Sequence, residues 1–250
     1  MEKIPGNKHN IEVQKNFVRW EQKPLLRKIY INFYQIIAQH LRKDIEGEIV
    51  ELGSGIGMIK KVIPNCICTD IFPNPWIDKV ENAYTLSFDK NSISNLILFD
   101  VWHHLQYPGN ALGEFHRVLK MQGRLIIFEP AISALGLIVY GIMHSEPINL
   151  KMKIEWFAPD RSVLHNTNYY AAQGNASRIF LTKKYEGLLK GWNEVLCERM
   201  ASISYVTSGG YSGPQLYPGF IYPFMRIIDH VCSYIPLLFA TRLLVVLEKI

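Results

Sequence analysis

Cysteine is scarce in this chain of 250 residues: only Cys66, Cys68, Cys197 and Cys232 are present. Four in a chain of this length build no disulfide framework, and no second pair joins Cys66 and Cys68 at zinc-ligand spacing. These two alternate within a strand-like run and read as small buried hydrophobes. An excess of one charge is missing as well. With 27 Lys and Arg against 22 Asp and Glu the net charge is +5, and the cations are spread along the chain. Nucleic-acid binding requires a concentrated basic face, so no nucleic-acid partner is expected. No apolar run is both long and free of charge. A bilayer span needs about 20 apolar residues; segment 131–143 is shorter, and segment 219–247 is interrupted by Arg226, Asp229, His230 and Arg242. The first ten residues have no apolar core of the kind a secretory signal carries. The expectation is a cytoplasmic protein, with any membrane association confined to its surface. Internal repeats and low-complexity tracts are absent.

What is present is the composition of a folded chain, 48% hydrophobic and 20% charged, with enough length for a sizeable core. Between residues 17 and 42 the apolar side chains Phe17, Trp20, Leu25, Ile29, Phe33, Ile36, Ile37 and Leu41 recur mostly every three or four positions. That period predicts an amphipathic helix, broken near Pro24. A strand over 48–52 then runs into the glycine turn 53–57, and 58–62 reads as the start of a helix. A second strand over 66–69 ends on Asp70; 73–80 reads as a short helix and 82–86 as a third strand. Segment 95–101 is nearly all apolar, as a strand buried on both faces should be. Helical spacing over 110–120 stops at Gly123, and 124–128 is another buried strand reaching Glu129 and Pro130. Strands alternating with helices in this way predict an α/β fold, a doubly wound sheet with right-handed crossovers.

Beyond Pro130 the pattern changes. Segment 131–180 reads as an insertion without a clean period, 184–192 as a helix, 195–206 as strand-like and 208–219 as a turn-rich loop. Segment 220–239 has the pattern of one amphipathic helix, and 242–248 that of a closing strand.

The glycine turn carries the chemistry. A turn of this kind between strand and helix brings backbone N–H groups close to a ligand. The string is Glu51-Leu52-Gly53-Ser54-Gly55-Ile56-Gly57. No Lys-Ser/Thr follows, so it is not a phosphate loop, and Met58 stands where a dinucleotide fingerprint places its third glycine. An acid two places before the first glycine suits a cationic ligand.

This string resembles motif I of the class I S-adenosylmethionine-dependent methyltransferases, in the small-molecule, type 11-like branch. Leu86-Ser87-Phe88 is similar to the Leu-Pro-Phe segment of that branch, His103-His104-Leu105 follows at a fitting distance, and Glu114 to Leu125 resembles the block before the family's fifth strand. The resemblance covers roughly 45–130. It implies a Rossmann-like seven-stranded methyltransferase sheet with an N-terminal helix and a C-terminal insertion or lid. The whole of 1–250 would form one methyltransferase domain: 1–44 an N-terminal helical region, 45–130 the cofactor half and 131–250 the substrate side.

The resemblance also implies S-adenosyl-L-methionine as cofactor and a role for each matched position. Glu51, Gly53, Ser54, Gly55 and Gly57 would surround its methionine part. Asp70, followed by Ile71, would accept from the ribose hydroxyls. Asn82 and Ala83 stand where the family has Asp-Ala beside the adenine, and Phe99 and Asp100 would face the methionine end. Three departures, Asn82, Ser94 where an acid often begins the fourth strand, and the Met121-Gln122 pair in place of Pro-Gly, leave the pocket intact.

Methyl transfer from a sulfonium is an in-line displacement that needs alignment and, for an oxygen or nitrogen acceptor, often a base. His104 is the first candidate, His103 the second, and Glu129 at the end of the fifth strand the third. No metal ligand set is expected. The aromatic-rich C-terminal half predicts a small-molecule or lipid-linked acceptor methylated at oxygen, with peripheral membrane contact through 220–239. A chain that binds the cofactor without turnover, or serves as a membrane-peripheral regulator, is the competing reading.

Overall fold

The computed structural model describes residues 5–142, 148, 150, 152–165 and 168–250. Met143 of the apolar segment 131–143, and part of the predicted insertion, lie outside the described residues.

Helix α1 (Pro5–Gln22) is followed by α2 (Pro24–Gln39). Pro24 makes the break, because its ring fixes φ and lacks the N–H that a first helical turn leaves unpaired anyway. α2 buries Leu25, Leu26, Ile29, Tyr30, Phe33, Tyr34 and Ile37 along one face. α1 starts well before the periodic stretch that begins at Phe17, because tertiary contacts, not apolar spacing, hold its first turns.

The strands are β1 (Glu48–Leu52), β2 (Ile67–Asp70), β3 (Lys79–Val80), β4 (Ile93–Phe99), β5 (Leu119–Pro130), β6 (Trp192–Ala201) and β7 (Ala240–Lys249). They form one seven-stranded sheet in the order β3-β2-β1-β4-β5-β7-β6. β1 to β5 are parallel neighbours, and β7 pairs antiparallel with both β5 and β6. Helix α3 (Pro108–Val118) crosses from β4 to β5.

Each face of the sheet has its own core. Along β4, Leu96 and Leu98 pack on the side of Trp102, Phe115 and Leu112, while Ile97 and Phe99 pack under Ile29, Phe33 and Ile37 of α2. A strand covered on both faces is apolar along most of its length; all seven residues of β4 are buried, and its polar pair is hydrogen-bonded, Ser94 Oγ to Gly47 O and Asn95 to the backbone of Arg42. Burying a side chain of this size stabilises the fold by about 1.5–3 kcal/mol.

The remaining elements are α4 (Ala134–Ile142), α5 (Asn175–Phe180), α6 (Ile203–Thr207), α7 (Tyr222–Ser233) and α8 (Pro236–Phe239). Several expected elements differ. The third strand is Lys79–Val80 and not 82–86, because Asn82 closes a turn: its Oδ1 accepts from Tyr84 N at 2.9 Å and its carbonyl from Thr85 N at 2.9 Å. No helix spans 73–80, where Asn74 Oδ1 caps Trp76 N and the Asp78 carboxylate accepts from Cys68 N. Segment 58–62 forms only a 3-10 turn, Met58–Lys61, and 184–192 another, Lys183–Leu188, with Trp192 already in β6. β6 ends at Ala201 and α6 follows, so 195–206 is not a single strand. The predicted helix 220–239 is two, divided where Ile235 turns to φ −121°, ψ 65° before Pro236.

Candidate functional site

The site lies along the carboxyl edge of the sheet, where open α/β folds bind ligands. In sheet order the strand ends present Asp70 (β2), Glu51 and the glycine turn (β1), Asp100 (after β4), Glu129 (β5) and Arg242 (β7). Register brings the last three side by side: Phe99 is opposite Phe128, and Pro130 is opposite Arg242.

The turn after β1 is left-handed at Gly53, with φ 69°. A Cβ there would stand 2.4 Å from Val101 Cγ2, so both conformation and space demand glycine. Gly55, at φ 52°, has open space around its Cα and donates its N–H to Asp70 Oδ2 at 3.0 Å. Ser54 locks β1 to β2: its N–H donates to Thr69 O at 2.8 Å and its Oγ to Glu51 O at 3.1 Å, while Oγ accepts from Thr69 N at 3.1 Å. Asp70 Oδ1 accepts from Ile71 N at 2.7 Å, so both carboxylate oxygens are aimed by backbone N–H groups.

Glu51 is buried, and burial pushes its carboxyl up to about 8 against the opposing hydrogen bonds of Ser54 and Tyr34. Its Oε2 has no hydrogen-bond partner among the described residues. Asn82 is engaged: Nδ2 donates to Leu164 O at 2.9 Å, and Oδ1 already holds Tyr84 N. That ties the predicted adenine position to the 3-10 turn Arg161–His165. Ala83 packs beside it on the core. The Phe99 ring lies within the core, 5.3 Å from Tyr30, 5.1 Å from Tyr34 and 5.1 Å from Phe128.

Glu129 and His103 are brought together. The Glu129 Oε2 to His103 Nδ1 distance is 2.7 Å, and Oε1 accepts from Trp102 N at 2.6 Å. Both side chains are buried. The His104 ring lies 4.1 Å from that of His103, its Nδ1 bonds Tyr170 O at 2.8 Å and its ring meets Tyr169 at 5.5 Å, so it fastens the 131–180 segment to the edge.

Two groups escaped the sequence reading. Arg242, 1% exposed, pairs with Asp100, and its guanidinium sits among the rings of Tyr205 at 4.8 Å, Phe33 at 5.4 Å and Phe128 at 5.5 Å. The available signal was a cation directly before the apolar run 243–247. His9 of α1 reaches Asp70 Oδ1 at 3.3 Å, and its pKa is raised chiefly by that contact. Nothing in the spacing of the first ten residues marked it.

Residues 50–127 match a family model described as a methyltransferase domain. Among curated proteins no sequence matches the chain. Solved structures share the fold. A methyltransferase from Thermotoga maritima described as a possible histamine N-methyltransferase is 16% identical, with 96% of this chain and 99% of that one covered at a TM-score of 0.54. A methyltransferase from Archaeoglobus fulgidus is 14% identical over 93% and 99%, with a TM-score of 0.55. Geranyl diphosphate C-methyltransferase from Streptomyces coelicolor A3(2) is 11% identical over 88% and 76%, with a TM-score of 0.52.

The residues fit S-adenosylmethionine. The buried Glu51 Oε2, without a partner among the described residues, suits a cationic amino group, the open space at Gly55 leaves room for close approach to the turn, and Asp70 is an oriented acceptor for a pair of hydroxyls. Residues 50–127 thus carry a methyltransferase domain, set in a fold that the chain shares along nearly its whole length with solved S-adenosylmethionine-dependent methyltransferases.

Proposed function

We propose that the chain methylates a hydroxyl oxygen of a small or lipid-linked acceptor, with His103 as the base and Glu129 holding it. The observation that carries this reading is the buried His103–Glu129 pair at the carboxyl edge. Residues 45–130 would hold the cofactor and 131–250 the acceptor, within one domain spanning 1–250.

The cofactor supplies a methyl group made electrophilic by its sulfonium. With the cofactor held at the glycine turn and Asp70, His103 would take the proton of the acceptor hydroxyl that receives this methyl group. A carboxylate on Nδ1 fixes the tautomer that leaves Nε2 basic and supports the imidazolium as it forms. Glu129 is itself fixed by Trp102 N, so the imidazole has one orientation. His104, committed to Tyr170 O, serves better as an anchor than as the base. Glu51, Gly53, Ser54, Gly55, Gly57, Asp70, Ile71, Asn82, Ala83, Phe99 and Asp100 remain the proposed cofactor contacts, with Asp100 set by Arg242 and the Phe99 ring acting from beneath.

Transfer of labelled methyl groups to a total lipid extract and to soluble hydroxyl compounds tests the reading. His103→Gln and Glu129→Gln are each expected to lower turnover by about a hundredfold or more, with S-adenosylhomocysteine affinity retained. Unchanged turnover, or label recovered on nitrogen or carbon, would overturn it.

A further inference from the structure

We propose that α7 and α8 form a face that docks on an anionic bilayer surface. From 220 to 238 the residues Phe220, Phe224, Ile227, Val231, Tyr234 and Leu238 recur every three or four positions, and all six are exposed. A helix facing water does the reverse and buries such a stripe. Here a second apolar set, Ile221 and Met225, packs on the core, and Asp229 is turned toward α6. Asp229, the only acid of this segment, accepts from Ser204 N at 2.9 Å and from its hydroxyl, and Tyr222 is buried. The outward face therefore lacks a negative charge of its own.

Cations border the stripe. Lys28, Arg226 and His230 line a groove of about 760 Å³ together with Phe220 and Ile227. Basic groups beside exposed aromatic and aliphatic side chains match phosphate headgroups lying over acyl chains. Phe220, 81% exposed, and Tyr234, 75% exposed, stand near the two ends, the positions that aromatic anchors take at a membrane interface. No described helix is long and apolar enough to cross a membrane, so this face lies on the surface and does not span.

A second copy of the chain fits less well. A two-fold contact sets the same patch against itself, which would bring the Lys28, Arg226 and His230 groove onto its own equivalent. The face also adjoins the site. Ser133 Oγ donates to Ala240 O, where α8 enters β7, at 2.6 Å, and two residues further on Arg242 stands on the carboxyl edge. Docking through α7 and α8 would hold that edge near the headgroups. The proposal stands whichever acceptor the enzyme uses.

Flotation of the full chain with vesicles of phosphatidylcholine alone, and of phosphatidylcholine with phosphatidylglycerol, tests it. Binding is expected to the anionic vesicles and to fall with added salt. Ile227→Glu with Val231→Glu should weaken it by about tenfold or more, and Arg226→Ala by about fivefold. These side chains are exposed, so melting temperature and S-adenosylhomocysteine affinity should not change, which separates lost docking from lost folding and from failure of the catalytic reading. Protein left in the supernatant with both vesicles, or full binding by the double Glu variant, would overturn the proposal. A dimer in sedimentation equilibrium that the same variant dissociates would also overturn it, assigning the face to a second copy.

Discussion

Glu51 sits where ionisation is costly, and its position shows both what a motif announces and what it hides. The acid two places before Gly53 is plain in the sequence; its depth is not, because Tyr34 of α2 and Cys68 of β2 come from elsewhere in the chain to enclose it. Its carboxyl is raised from 4.5 to about 8, mainly by burial. The unfolded chain therefore ionises this group first as pH rises. Folding stability should fall between those two values, by on the order of 4 kcal/mol over the interval, and level off above. Glu51→Gln stays neutral and lacks the loss. Urea unfolding of both proteins from pH 5 to 9 should show the difference moving in favour of the variant up to about pH 8 and then levelling; a constant difference throughout would mean that Glu51 is not desolvated as described. Gln122 marks a smaller departure. It holds φ 62° in the turn where the family pattern has Gly, a conformation that costs about 1 kcal/mol for a residue with a side chain.

At the scale of elements, α1 matters most, since it lies over the predicted ribose acceptor. His9 pairs with Asp70, Asn10 Nδ2 donates to Pro73 O at 3.0 Å, and Phe17 stacks on Trp76 at 4.9 Å. The His9 pKa is raised, so its charged contact with Asp70 is fully present below the ordinary imidazole range and is lost as pH rises through the raised value. Where a ligand's hydroxyls compete for the same carboxylate, His9→Ala should tighten S-adenosylhomocysteine binding at pH 6 by about two- to fivefold and have little effect at pH 8. Titration calorimetry at the two pH values checks this, and an equal effect at both would remove His9 from the competition. The helices and strands themselves were legible where a period ran long enough, as in α2, β4 and α3. They were misread where single side chains decided: Asn82 and Asn74 make turns from segments with strand-like and helix-like composition.

Across the whole molecule, Arg242 and Asp100 join the ends of β7 and β4 over β5. The guanidinium is 1% exposed and the carboxylate 32%. This asymmetry sets the expected response to breaking the pair. Asp100→Asn leaves a charge with no access to water and should cost about 3 kcal/mol, whereas Arg242→Met leaves a carboxylate that reaches solvent and should cost less. For a domain of this size the first corresponds to about 6–12 °C in melting temperature. Thermal unfolding of the two variants tests the order, and a greater loss in Arg242→Met would show that the aromatic rings around the guanidinium, not its charge partner, carry the interaction.

Local order along the chain determined much of this protein on its own. Strand, glycine turn and helix in sequence, the near-continuous apolar strands and the Glu51, Gly53 and Asp70 spacing needed no distant residue, because period and turn chemistry are properties of neighbours. Tertiary structure alone decided the rest. Glu129 meeting His103 across 26 positions, Arg242 meeting Asp100 across 142, His9 reaching Asp70, and the outward turn of the apolar stripe on α7 all depend on which strand ends and helix faces the sheet order brings together. Contacts so far apart in the chain leave no period in the sequence, since they are set by the shared geometry of the sheet edge and not by spacing along the backbone.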